Sequence, residues 1–282
     1  MSARTGARAG SGAVVTGAGR GLGRRIAALL VERGHRVLVT DVDGDAARAT
    51  AAGLGPEVSW AAVDVRDEAQ VAAARDRIVA EAGRLGVWVN NAGVLVTGPA
   101  WEQPAEVRRL MLEVNALGTV NGTVAAIGAM RGSGGGHIVN IVSLAGLTAV
   151  PGEAVYAASK HAAIGFSLST LADLRVAGIR DIRISCVCPD GIWTPMLHDK
   201  LDDPASALSF SGTLLTPEEV AGAVRAVLDR PRPVTAVPAW RGLQVRLADA
   251  LPRFGLRAVP LAVAQGRRVQ RRIARQAGRR DG

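Results

Sequence analysis

The segment from Ala13 to Arg33 is a short apolar run that passes through Thr16-Gly17-Ala18-Gly19-Arg20-Gly21-Leu22-Gly23 into a helical pattern. Four glycines in seven residues, set between a strand and a helix, leave bare backbone at that turn and commit the chain to a fold that uses it. The same rhythm then repeats. Apolar β-rich runs predict strands at 37–41, 58–64, 87–90, 137–142, 182–187 and 234–237, with helical patterns at 46–52, 68–83, 104–130, 153–176 and 217–228 between them. Seven short strands separated by helices predict an α/β fold, a Rossmann-like doubly wound parallel sheet with helices on both faces, because parallel crossovers place helices there.

Length and charge divide the chain further. Its 282 residues, 48% hydrophobic, suffice for one domain over 1–238 with an appendage over 239–282. The opening residues lack the apolar stretch of a secretory signal, and no run reaches the length expected of a membrane-spanning helix. Cys186 and Cys188 alternate in a predicted strand without partners for a metal site or a disulfide framework, which fits a reducing cytoplasm and no metal. The net charge of +9 is local. Residues 241–282 hold 11 Arg against Asp249 and Asp281, so residues 1–240 sum to zero. No nucleic-acid-binding motif accompanies those arginines. On a helix, Val269, Ile273 and Ala277 share one face with Arg267, Arg268, Arg271, Arg272, Arg275, Arg279 and Arg280 over much of the rest, a pattern compatible with a solvated end or with peripheral contact on an anionic membrane.

The glycine turn sits where an open α/β sheet binds a dinucleotide. Gly17, Gly19, Gly21 and Gly23 let the backbone approach a pyrophosphate, whose charge is held by free N–H groups at the helix start around Arg20 and Leu22. Asp41, at the end of the second strand, is placed to accept hydrogen bonds from adenosine ribose hydroxyls and to repel a 2′-phosphate; Arg20, Arg24 and Arg25 pull toward NADP. NAD is the preferred reading. Asp64-Val65 and Asn90-Asn91-Ala92-Gly93 end the third and fourth strands on the same edge.

The only tyrosine of the chain, Tyr156, precedes Lys160 by one helical turn. The two share a face, so an ammonium charge sits near the phenol and favours its ionised form. An unperturbed phenol, with a pKa of about 10, is a poor base at neutral pH, so the pair outlines an acid/base centre.

TGxxxGxG at 16–23, NNAG at 90–93, a serine thirteen places before the tyrosine and YxxxK at 156–160 occur in that order, and in this the chain resembles the short-chain dehydrogenase/reductase family over about residues 11–238. The resemblance implies an NAD(P)-dependent oxidoreductase, a homodimer or homotetramer, that interconverts a secondary alcohol and a ketone by hydride transfer. It assigns Tyr156 as general acid/base, Lys160 to lower its pKa and to bond the nicotinamide ribose, Ser143 to hold the substrate oxygen, and Asn115 to hold a water near Lys160. It also adds Pro189, Ile192 and Thr194 to the cofactor wall. Epimerisation or dehydration on the same scaffold, or a non-catalytic dinucleotide-binding or membrane-associated module, are the alternatives. Asp190 stands where the family commonly has glycine, which opens an interaction with substrate. The long connection 190–216 reads as a substrate lid, and its Trp193, Met196, Leu197 and Phe210 as an apolar pocket wall suited to a hydrophobic substrate.

Overall fold

The computed structural model describes residues 10–277; residues 1–9, with Arg279 and Arg280 of the basic tail, lie outside the described residues. Seven parallel strands form one sheet: β1 (Gly12–Val15), β2 (Arg36–Asp41), β3 (Ser59–Ala62), β4 (Leu85–Asn90), β5 (Gly136–Ile141), β6 (Ile182–Pro189) and β7 (Val234–Val237). Their order, β3-β2-β1-β4-β5-β6-β7, reverses direction between β1 and β4, and that switch point opens the crevice in which such sheets bind ligands. All six residues of β4 and of β5 are buried, as expected of central strands covered on both faces. β3 is an edge strand, half exposed and shorter than its sequence pattern, which carries on into the loop toward Asp64.

The helices are α1 (Gly21–Glu32), α2 (Gly44–Leu54), α3 (Glu68–Ala82), α4 (Ala105–Leu112), α5 (Gly118–Met130), α6 (Ala154–Val176), α7 (Pro195–His198), α8 (Pro217–Asp229), α9 (Ala239–Ala250) and α10 (Pro252–Ala277). Local chemistry sets their starts. Asp43 caps α2, Asp67 caps α3, and Thr216 with Glu219 forms a reciprocal capping box on α8 behind Pro217. α1 has no side-chain cap, so its first N–H groups stay free at the glycine turn.

Three features depart from the sequence pattern. α4 and α5 run together through a π-helical turn, Glu113–Leu117, and the combined helix Ala105–Met130 contains an 18-residue window of mean hydropathy 1.3, long and apolar enough by composition to cross a membrane. Half of its most apolar window is buried in the protein, which fits a core helix. The connection between β6 and α8 is ordered by α7, by a 3-10 helix at Pro204–Phe210 and by a bridge between Ile192 and Leu215. And α10 continues unbroken through Gly255 and Pro260, two residue types that ordinarily interrupt a helix. Its C-terminal half packs on the 3-10 helix: Gly266 lies flush against the Ala207 carbonyl, and the buried Gln270 donates to Lys200 O at 3.2 Å, Asp203 O at 3.0 Å and Ser206 Oγ at 2.9 Å.

Candidate active site

The sheet's carboxyl edge is pinned by side-chain amides. Asn91 donates to Thr16 O at 3.0 Å and Gly17 O at 2.9 Å, fastening the loop after β4 to the glycine turn after β1. Below it, Asn90 donates to Asn140 Oδ1 at 2.8 Å and accepts from Trp88 Nε1 at 2.7 Å, locking β4 to β5 in the core. The turn needs its glycines. Gly17 has φ of +61°, and a Cβ there would meet Ala92 Cα at 2.7 Å; a Cβ on Gly23 would collide with Gly17 O. Asp41 Oδ2 accepts from Gly19 N at 2.9 Å, so the carboxylate at the end of β2 also shapes the turn.

These groups border a cavity of about 820 Å³ along the sheet's carboxyl edge. Of the cofactor residues expected from sequence, Gly17, Arg20, Gly21, Leu22, Gly23, Asp41, Asp64, Val65, Asn91, Ala92, Gly93, Tyr156, Lys160, Pro189, Ile192 and Thr194 all line it. Gly19 does not: it lies beneath, against Ala46 and Asp41. Asp64 is clasped by Arg66, whose hydrogen bonds hold its carboxyl below the usual carboxylate range. Of the three arginines that favoured NADP, Arg20 reaches the cavity, whereas Arg25 bonds Glu32 at 3.0 Å.

The same cavity holds Ser143, Tyr156 and Lys160. Ser143 follows β5; Tyr156 and Lys160 project from the first turns of α6. Burial, then the nearby Glu153, push the Tyr156 phenol above its ordinary range, while a hydrogen bond with Ser143 pulls it back. Burial lowers the Lys160 ammonium to about 8; its Nζ lies 5.5 Å from the Tyr156 ring and donates to Ile141 O at 3.3 Å. The depression of the phenol expected from Lys160 is therefore not what the protein's own groups produce, because both groups are desolvated together. Asn115 sits in the π-helical turn, a local distortion frequent at functional sites, and does not line the cavity. Its side chain accepts from Val94 N at 2.8 Å and donates to Val94 O at 2.9 Å and Ser159 Oγ at 3.0 Å, bracing the loop beside Lys160.

Three features escaped the sequence reading. Glu153, 2% exposed, lines the cavity one turn before Tyr156; burial raises its carboxyl to about 7, and Ser209 Oγ donates to it at 2.5 Å. It stands at the N-cap of α6 without capping it. Asp190 also lines the cavity, with its carboxylate engaged: its Oδ2 accepts from Arg241 Nε at 2.9 Å and its Oδ1 from Gly191 N at 3.0 Å, tying α9 to the end of β6. Finally, α9 and α10 close the cavity with Gln244, Val245, Ala248, Leu256, Val259 and Ala262. Of the expected apolar wall, Met196 and Leu197 line it; Phe210 is fully buried under the lid, and Trp193 packs against His198 with ring centroids 4.0 Å apart and planes tilted by 57°.

A glycine-rich turn and a phenol, ammonium and hydroxyl cluster facing one crevice at the switch point of a parallel sheet define a Rossmann-fold oxidoreductase. The short chain dehydrogenase pattern matches residues 11–205, and the chain belongs to that family. Sex determination protein tasselseed-2 of Zea mays is 40% identical over 195 residues, which span 67% of this chain and 57% of that protein. The 1-deoxy-11-beta-hydroxypentalenate dehydrogenase of Streptomyces exfoliatus is 36% identical over 226 residues, 78% of this chain and 80% of its own. Among solved structures, a short chain dehydrogenase/reductase of Burkholderia phymatum in complex with NAD superposes with a TM-score of 0.79 at 29% identity, covering 88% of this chain and 95% of that one. The protein is an NAD(P)-dependent oxidoreductase of this class.

Proposed function

We propose that the protein interconverts a secondary alcohol and a ketone on a hydrophobic small molecule, with NAD preferred over NADP and Tyr156 as general acid/base. The observation that carries this reading is the single cavity shared by the glycine turn, Asp41, Ser143, Tyr156 and Lys160. The residues fit a dinucleotide. The uncapped start of α1 offers N–H groups to a pyrophosphate, Gly21 takes the left-handed φ of +55° that the turn requires, and Asp41 with the apolar Val42 forms an ill-suited seat for a 2′-phosphate. The relative solved with NAD supports the same choice. Pro189, Ile192 and Thr194 would border the nicotinamide half and Asp64, Val65 and Ala92 the adenine half.

Bound, the nicotinamide supplies the hydride acceptor and donor. The chain's part is proton handling and positioning. Tyr156 takes the hydroxyl proton in oxidation and returns it in reduction. Ser143, which lines the cavity with the phenol, holds the substrate oxygen where charge develops. Lys160 keeps a cation beside the phenol, and Asn115 braces the loop against which it lies. Val94, Leu110, Leu144, Met196, Leu256 and Val259 give the remainder of the cavity its apolar walls, which favour a hydrophobic substrate; the pentalenate dehydrogenase relative is in keeping with that. Exposed Leu112, Leu117 and Val124 along α4 and α5 support a homodimer or homotetramer. A fluorescence titration with NADH and NADPH tests the cofactor reading: tighter NADH binding is expected, and equal or tighter NADPH binding would overturn the Asp41 argument.

A further inference from the structure

The outer face of the C-terminal helices is built unlike the rest of the surface. Trp240, Leu243, Leu247, Leu251, Phe254 and Leu261 are each more than half exposed. Within α9, Trp240, Leu243 and Leu247 recur at helical spacing, and Phe254 and Leu261 do so within α10, so each helix presents an apolar stripe. The inner faces are already used: Gly242 packs against Ala236 of β7, and Gly266 and Gln270 pack on the 3-10 helix. The apolar residues on the outside therefore have no core to join, and a contiguous patch of that kind marks an interaction surface.

The charge around the patch selects its partner. Arg246, Arg253, Arg257, Arg267, Arg268, Arg271, Arg272 and Arg275 are exposed and form no ion pair among the described residues, with Asp249 the one acidic residue of the two helices. In the body, by contrast, acidic residues are interspersed, and Arg25, Arg33, Arg48, Arg66, Arg75 and Arg77 bond carboxylates. A second copy of the chain seated on this face by two-fold symmetry would set arginines against arginines. We propose that α9 and α10 dock the protein on an anionic lipid bilayer, the leucines, Trp240 and Phe254 entering the interface and the arginines meeting headgroup phosphates. The inference goes beyond the catalytic reading and does not depend on it. It moves the contact from the extreme tail to the stripe running from Trp240 to Leu261. It also sets the docked surface one helix away from the substrate cavity, because Gly255, Val259 and Ala262 of α10 line that cavity.

The test is co-sedimentation of the full chain with phosphatidylcholine vesicles, with and without phosphatidylglycerol, at low and high salt. Binding is expected to phosphatidylglycerol vesicles at low salt, falling about fivefold for each arginine replaced among Arg268, Arg272 and Arg275. The double variant Leu243→Glu with Leu247→Glu is expected to lose binding by tenfold or more while its NADH titration stays that of the wild type, which shows an intact body. Absence of wild-type binding at low salt would overturn the proposal, as would an unchanged affinity in the folded double variant. A wild-type dimer that the double variant dissociates, without vesicle binding by either, would assign the face to a second copy instead.

Discussion

Replacing Asp190 by Asn keeps the acceptor for Gly191 N and removes the charge that faces Arg241. The two side chains are 8% and 15% exposed, so the pair is buried, and breaking a buried pair from one side costs about 3–5 kcal/mol because the other charge is left uncompensated. Burial raises the Asp190 carboxyl above its usual range despite Arg241, and Arg241 keeps a bond from Nη1 to Gln244 Oε1 at 2.7 Å and a little solvent; both place the expected loss at the lower end, about 3 kcal/mol. At roughly 2–4 °C per kcal/mol for a chain of this size, the melting temperature should fall by about 6–12 °C. The double variant Asp190→Asn with Arg241→Gln removes the stranded charge as well and should recover at least half of that loss, the signature of direct coupling. Thermal and denaturant unfolding of the wild type, both single variants and the double variant measure it. A loss below about 0.5 kcal/mol in Asp190→Asn, or a double variant no more stable than the single, would refute the ion pair as the tie between α9 and the sheet.

Other consequences follow from the same geometry. Tyr156→Phe should lower kcat by about 10²-fold or more with NADH affinity largely retained, since the glycine turn and Lys160 still hold the cofactor when the proton-moving hydroxyl is gone; a kcat within threefold of wild type would remove it from the acid/base role. Asp41→Ala should narrow or reverse the preference between NADH and NADPH, and an unchanged ratio of dissociation constants would show that Asp41 only shapes the turn through Gly19. Glu153 is raised from 4.5 to about 7, so the native state holds a proton that the unfolded chain releases in that window. Glu153→Gln should therefore bring no gain in stability at pH 4 and a gain approaching about 3 kcal/mol above pH 7, read from denaturant midpoints at the two pH values; a gain independent of pH contradicts the burial argument. Gly266→Ala should force α10 off the Ala207 carbonyl and destabilise by about 1–3 kcal/mol, with a rise in substrate KM, whereas a neutral outcome in unfolding would show that the helix gives way there freely.

The sequence made the sheet and its crevice legible because each strand is a dense apolar run and each crossover a helical pattern, with glycines at Gly17 and Gly23 where no Cβ fits. Tyr156 and Lys160 were visible through spacing alone, since one helical turn separates them. Less was visible where tertiary contacts decide. Glu153 read as an ordinary polar residue opening the helix over 153–176, and its burial beside the phenol depends on Ser209 of the lid, 56 residues downstream. Asp190 read as a departure with an open role because its partner, Arg241, lies in an extension with no periodic link to the sheet. Pro260 and Gly255 are poor helix formers, yet packing of α10 on Pro204–Phe210 outweighs their propensity. The role expected of Lys160 in lowering the phenol's pKa was argued from charge alone, and burial of both groups, which spacing does not report, acts against it.

The proposed chemistry is oxidation and reduction of a hydrophobic carbinol carbon with Tyr156 moving the proton. The direct measurement follows formation of reduced nicotinamide from NAD⁺ across a panel of hydrophobic secondary alcohols, for the wild type and Tyr156→Phe side by side, after NADH titration has shown both variants to bind cofactor. The account predicts turnover by the wild type on at least one apolar alcohol and a loss of about 10²-fold or more in the variant. Wild-type turnover that Tyr156→Phe matches, or cofactor binding with no oxidation or reduction of any alcohol or ketone in the panel, would contradict it.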